Sequence, residues 1–83
     1  GKLECDFIVR NKNGMYAYVQ VAYTLQGEDI KSTERIKERE YRPFRDIRDG
    51  YPRYVISLDK FRDQQEGVHH INAIDLFLGK ETL

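Results

Sequence analysis

The stretch from Met15 to Leu25, MYAYVQVAYTL, constrains the fold more than any other part of the chain. Val19, Val21 and the tyrosines at 16, 18 and 23 are strong strand formers, and neither Pro nor Gly interrupts them. Successive strand residues face opposite sides, so Ala17, Val19, Val21 and Tyr23 form one apolar face. Tyr16, Tyr18, Gln20, Ala22 and Thr24 form a second face of mixed character. A strand with apolar residues on both faces belongs in the middle of a sheet.

Its first neighbour precedes it. Leu3 to Val9 reads as a strand, and Asn11-Lys12-Asn13-Gly14 is a strong turn signal. A two-residue loop at Asn13-Gly14 would set Phe7 against Gln20 and Asp6 against Val21, mixing polar and apolar side chains on both faces. A three-residue loop, Lys12-Asn13-Gly14 with Gly14 left-handed, shifts the pairing by one. Cys5, Phe7 and Val9 then oppose Val21, Val19 and Ala17 on an apolar face. Glu4, Asp6 and Ile8 oppose Ala22, Gln20 and Tyr18 on the other. A one-residue slip turns every side chain over, so the hydrophobic pattern selects the three-residue loop.

After a polar connection, Gln26 to Lys31, a helix is expected with Ser32 or Thr33 as its N-cap. It runs toward Asp49, with Gly50 as the stop. Pro43 lies inside it and predicts a kink, or a split after about Arg39. Glu40 falls on the same stripe as Ile36, Phe44 and Ile47, where a carboxylate must reach the stripe's edge or pair with a nearby arginine. Tyr51-Pro52 is a turn, and Arg53 to Leu58 is a strand. The helix-length crossover before it makes it a parallel neighbour of the Met15–Leu25 strand. Asp59 to Gly67 reads as a charged surface loop, Val68 to Ile71 as a last short strand, and Asn72 as the cap of a helix from Ala73 to Leu78, closed by Gly79. The order β-β-α-β-β-α defines an α/β or α+β domain over residues 1–83, a mixed β-sheet with flanking helices.

Composition narrows the function. Fourteen basic residues balance fourteen acidic ones, so no overall field attracts nucleic acid or an anionic membrane. No apolar run nears the roughly 20 residues that cross a bilayer, and no signal-peptide pattern opens the chain. The single Cys5 cannot form an internal disulfide, and a cytoplasmic location is expected. The chain starts directly in a strand, as an excised piece of a longer protein would.

Candidate chemistry is sparse. His69 and His70 adjoin in a strand, point to opposite faces and cannot ligate one ion together. Cys5 has no basic neighbour to make it reactive. No Walker-type phosphate loop is present. Arg35, Arg39, Arg42, Arg45 and Arg48 are interleaved with acids, as on a solvated, paired helix face. There remains Asp6 beside Gln20-x-Ala22. An Asp on one hairpin strand and Glu-x-Lys on the next is the layout of restriction-endonuclease-like metal nucleases, where the carboxylates hold Mg²⁺ and the Lys serves the attacking water. Here Gln20 is a neutral amide, and Ala22 can neither bind a phosphate nor orient water. Glu4 does not replace the missing Lys.

Glu-Cys-Asp-Phe-Ile-Val at 4–9, Val-Gln-Val-Ala-Tyr at 19–23, Arg-Glu-Tyr-Arg-Pro-Phe at 39–44 and Tyr-Pro-Arg-Tyr-Val-Ile-Ser-Leu-Asp at 51–59 occur in order, followed by Gly67 to Leu78. Together they resemble the C-terminal domain of uncharacterised prokaryotic AAA-type P-loop ATPases. The resemblance covers nearly the whole chain. It implies a restriction-endonuclease-like core behind an ATPase module and a winged-helix segment. It transfers no catalytic role to Asp6, Gln20 or Ala22. The expected function is a non-catalytic accessory domain that packs on its parent ATPase or a protein partner, with no cofactor, no metal and no membrane. A DNA-binding remnant is the alternative, and a working Mg²⁺ nuclease using Glu4, Asp6 and Glu40 the third reading.

Overall fold

The computed structural model describes residues 5–47, 49–61, 64–65 and 67–83. The elements run β1 (Phe7–Arg10), β2 (Tyr16–Val21), α1 (Ile30–Tyr41), a single 3₁₀ turn (Arg42–Phe44), β3 (Arg53–Ser57), β4 (Gln64–Gln65), β5 (Val68–Asn72) and α2 (Ala73–Phe77). The strands form one mixed sheet in the order β1-β2-β3-β5-β4. The architecture is α+β, as the element order predicts, with the two-residue β4 as an additional edge strand.

The hairpin has the expected register: Phe7 pairs with Val19, Ile8 with Tyr18 and Val9 with Ala17. Gly14 is left-handed at φ 78°, and the Asn11 side chain closes the loop by accepting from the backbone N–H of Asn13 and of Met15. β2 is an interior strand, antiparallel to β1 and parallel to β3, which is itself parallel to β5. It stops at Val21 rather than Leu25, and Leu25 leaves the sheet to become a fully buried core residue.

The apolar face of the first strand is not a buried face throughout. Phe7 is 55% exposed, because it lies on the outermost strand with a neighbour on one side only. Cys5 precedes the regular strand, breaks its alternation and packs against the core beneath α1. Burial pushes its thiol up, away from the reactive thiolate.

The core joins Leu25, Tyr41, Phe44, Val55 and Val68, with Tyr18, Ala22, Ile36, Ile47 and Phe61 packed around it. The cap of α1 lies three residues before Ser32, the nearer of the two expected caps. Asp29 is the N-cap and accepts from the Ser32 backbone N–H at 2.7 Å, while the Ser32 hydroxyl accepts from the Asp29 N–H at 3.0 Å. Ser32 therefore completes a capping box rather than starting the helix. Hydrogen bonds to its oxygen from the Ser32 backbone N–H and, at 2.8 Å, from the Ser32 hydroxyl hold the Asp29 carboxyl below its ordinary range. A Cβ on Gly27 would collide with Ser32, so this approach to the helix requires glycine.

Pro43 splits the helix as its missing N–H requires, and α1 gives way after Tyr41 to the 3₁₀ turn. The chain does not remain helical to Asp49. Arg53 instead ties the return to β3, donating to the carbonyls of Ile47 and Asp49 at 2.9 and 2.7 Å. The Asn72 side chain caps α2 through the Asp75 N–H at 3.0 Å, and Gly79 is left-handed just beyond the helix.

Candidate functional site

Asp6, Gln20 and Glu40 come together where the hairpin passes under the end of α1. The Gln20 side chain lies on the covered face of β2, in one row with Val55 and His70. Its Nε2 donates to Glu40 Oε2 at 3.1 Å, and its Oε1 accepts from the Asp6 backbone N–H at 3.1 Å. One Asp6 carboxylate oxygen accepts from the Val21 N–H at 3.0 Å, closing the hairpin ladder just before β1 begins. Arg39 Nε reaches the other Glu40 oxygen at 3.4 Å. Glu40 thus pairs with an arginine as expected, but it is buried at 8% exposure rather than at the stripe's edge. A buried carboxylate needs such donors, because water is not there to supply them.

Ala22 is half-buried against the core and brings no charge to this group. Glu4 lies outside the described residues, as does Arg48. The arrangement is a hydrogen-bonded splice between hairpin and helix. Among the described residues no three His, Cys, Asp or Glu side chains stand close enough to hold a metal ion.

Of the arginines interleaved with acids, Arg42 and Arg45 pair with Glu38. Arg45 makes two contacts to Glu38, at 2.7 and 2.8 Å, and Arg42 a longer one at 3.6 Å. Hydrogen bonds from Arg45 are the main cause holding the Glu38 carboxyl low.

A second polar group was not foreseen. It lies at the carboxyl ends of the parallel strands β2, β3 and β5, where Asp59 proves to be a hub and not part of a surface loop. Its carboxylate accepts from the Thr24 hydroxyl and the Leu25 N–H, both at 2.7 Å, and from the Ser57 hydroxyl at 3.1 Å. Burial pushes the Asp59 carboxyl up; these donors and the nearby His70 outweigh it, so the group rests below its ordinary range. Asn72 donates to the carbonyls of Leu58 and Asp59 at 3.1 and 2.9 Å. His69 is exposed and His70 buried, on opposite faces as strand geometry requires. The missed signal was Val68-x-His70: a histidine sharing the face of a core valine must find partners inside.

The third feature is apolar. Ile74, Phe77 and Leu78 follow an i, i+3, i+4 spacing and so share one stripe of the α2 turn, yet all three are exposed, Phe77 at 86%. Tyr23, 80% exposed, and Leu58, 46% exposed, are further outward-facing apolar residues, at the exits of β2 and β3. The Leu58 N–H donates to the Tyr23 carbonyl at 3.1 Å, and Asn72, which begins α2, donates to the Leu58 carbonyl at 3.1 Å.

Neither a protein-family profile, nor a curated protein, nor a solved structure matches the chain. No helix among the described residues is long and apolar enough to cross a membrane.

Proposed function

We propose that this chain is a non-catalytic interaction domain of a prokaryotic AAA-type P-loop ATPase, with a restriction-endonuclease-like core that has lost its chemistry. The observation that carries the proposal is the solvent-facing stripe of α2 together with Tyr23 and Leu58. An amphipathic helix ordinarily turns its apolar stripe inward, and an apolar stripe turned outward marks a docking site. Its residues are uncharged and suit an apolar protein surface better than a phosphate backbone. The partner is the ATPase module of the parent chain.

The splice at Gln20 supports the non-catalytic half of the reading. The position that would carry a metal-binding carboxylate carries an amide, and that amide is engaged on both ends by the fold itself. Ala22 supplies no cation for a phosphate in flight.

The test is association between this domain and the ATPase module of its parent, measured by sedimentation or calorimetry. Binding that disappears in Tyr23→Asp with Phe77→Asp, with the far-UV spectrum unchanged, is the expected result. No association at micromolar concentration, or association indifferent to both substitutions, would overturn the proposal.

A further inference from the structure

Among the described residues β1 is the outermost strand, with β2 on one side and no strand on the other. The Asn11 N–H donates to the Met15 carbonyl at 2.8 Å, and this sets the alternation of the hairpin: Phe7, Val9 and Asn11 turn their backbone groups toward β2. Ile8 and Arg10 therefore turn their N–H and C=O outward. So does the Asp6 carbonyl, which opposes the Phe7 N–H across one planar peptide unit.

Open edges in soluble proteins are commonly blunted by a Pro, a Lys, a bulge or polar side chains. Phe7-Ile8-Val9 carries none of these, and its register with β2 is unbroken. Phe7, 55% exposed, and Ile8, 52% exposed, put apolar side chains on both faces, the pattern of an interior strand.

Asp6-Phe7-Ile8-Val9-Arg10 is also complementary to itself when run antiparallel. Centred on Ile8, Ile8 meets Ile8, Phe7 meets Val9 and Asp6 meets Arg10. Moving the centre to Val9 sets Arg10 against Ile8, and moving it to Phe7 sets Ile8 against Asp6. Only the Ile8 register matches apolar with apolar and acid with base. Asp6 gives one carboxylate oxygen to Val21, and Arg10 gives one guanidinium nitrogen to Tyr16 at 3.0 Å. Among the described residues, the second Asp6 oxygen and the other Arg10 nitrogens make no hydrogen bond.

We propose that a second copy of this chain pairs with this edge, β1 against β1, antiparallel about a twofold axis at Ile8, joining two five-stranded sheets into one. The Ile8 N–H donates to the Ile8 carbonyl of the second copy, and symmetry supplies the reverse bond. The Arg10 N–H donates to the Asp6 carbonyl of the second copy, again in both directions. Pairing ends there, because the Asp6 N–H is already given to Gln20. On one face the two Ile8 side chains stand between two Asp6–Arg10 pairs, and on the other each Phe7 ring covers a Val9. Four strand residues from each copy make a small interface, at the weak end of specific association below about 1,200 Å². The α2 stripe takes no part in it.

The test is sedimentation equilibrium of the intact 83-residue chain from about 10 μM to about 1 mM, beside Ile8→Pro, Arg10→Asp and Phe77→Asp. The unmodified chain should pass from monomer toward dimer over this range. Ile8→Pro removes an outward N–H, at a place where an edge strand tolerates proline, and should stay monomeric with an unchanged far-UV spectrum. Arg10→Asp sets acid against acid twice and should weaken the dimer about tenfold or more. Phe77→Asp should dimerise as the unmodified chain does. Arg10 is exposed, so Arg10→Asp leaves the backbone of β1 intact and decides the question if Ile8→Pro does not fold. An unmodified chain still monomeric at the top of the range would overturn the proposal. So would a dimer that Ile8→Pro or Arg10→Asp does not weaken, or one that Phe77→Asp abolishes.

Discussion

The side-chain amide of Gln20 donates to the buried carboxylate of Glu40 across 3.1 Å, while its carbonyl accepts the Asp6 backbone N–H at the same distance. A residue with one donor end and one acceptor end is what this position requires. A glutamate here would bring a second carboxylate against Glu40 and would offer the Asp6 N–H to an anion already repelled by its neighbour. The amide therefore serves the fold, joining the hairpin to the end of α1.

Gln20→Glu should destabilise the domain by about 1–3 kcal/mol at pH 7, the cost of a buried group without its donor. Two carboxylates at hydrogen-bonding distance make the folded state take up protons, so the loss shrinks as pH falls. Urea unfolding at pH 7 and pH 4 measures it. Equal losses at both values would mean that charge is not the cause.

Leu25→Ala should cost about 2–5 kcal/mol, since Leu25 is fully buried at the centre of the core. Phe7→Ala should cost less than about 1 kcal/mol, because the ring already keeps half its surface in water. Denaturation midpoints of the two variants decide the order. A larger loss at Phe7 would place β1 against a partner layer.

Asp59→Asn should remove about 2–3 kcal/mol at pH 7, the scale of hydrogen bonds to a charged acceptor. The folded carboxyl lies below its ordinary value, so its contribution is fully present above about pH 4 and is lost as pH falls through the folded value. Wild-type stability should therefore fall in acid more steeply than that of Asp59→Asn. Parallel pH profiles would contradict the hub role of Asp59.

What could be read from the sequence was local. Asn11 to Gly14 and the two-residue alternation fix the hairpin register. Pro43 divides the helix through its missing N–H, and Asn72 caps α2 through its own side chain. The failures have physical reasons too. Ser32 and Thr33 are both good caps, and nothing nearby shows that Ser32 instead serves Asp29 as the third residue of a capping box. The exposure of Phe7 depends on which strand is outermost. Glu40 stood out on its stripe, but its partner Gln20 comes from another element. His70 and Ser57 meet across 13 residues through a parallel pairing that alternation alone does not specify.

A cleavage assay tests most directly the proposal that Asp6, Gln20 and Ala22 hold the fold and do not cut. Plasmid and single-stranded DNA are incubated with the domain and Mg²⁺ or Mn²⁺, beside Asp6→Ala and the double substitution Gln20→Glu with Ala22→Lys. No cleavage by the unmodified domain is expected, because an amide at Gln20 and an alanine at position 22 in place of a carboxylate and a cation together remove several powers of ten in rate. Metal-dependent cleavage by the unmodified domain that vanishes in Asp6→Ala would contradict it.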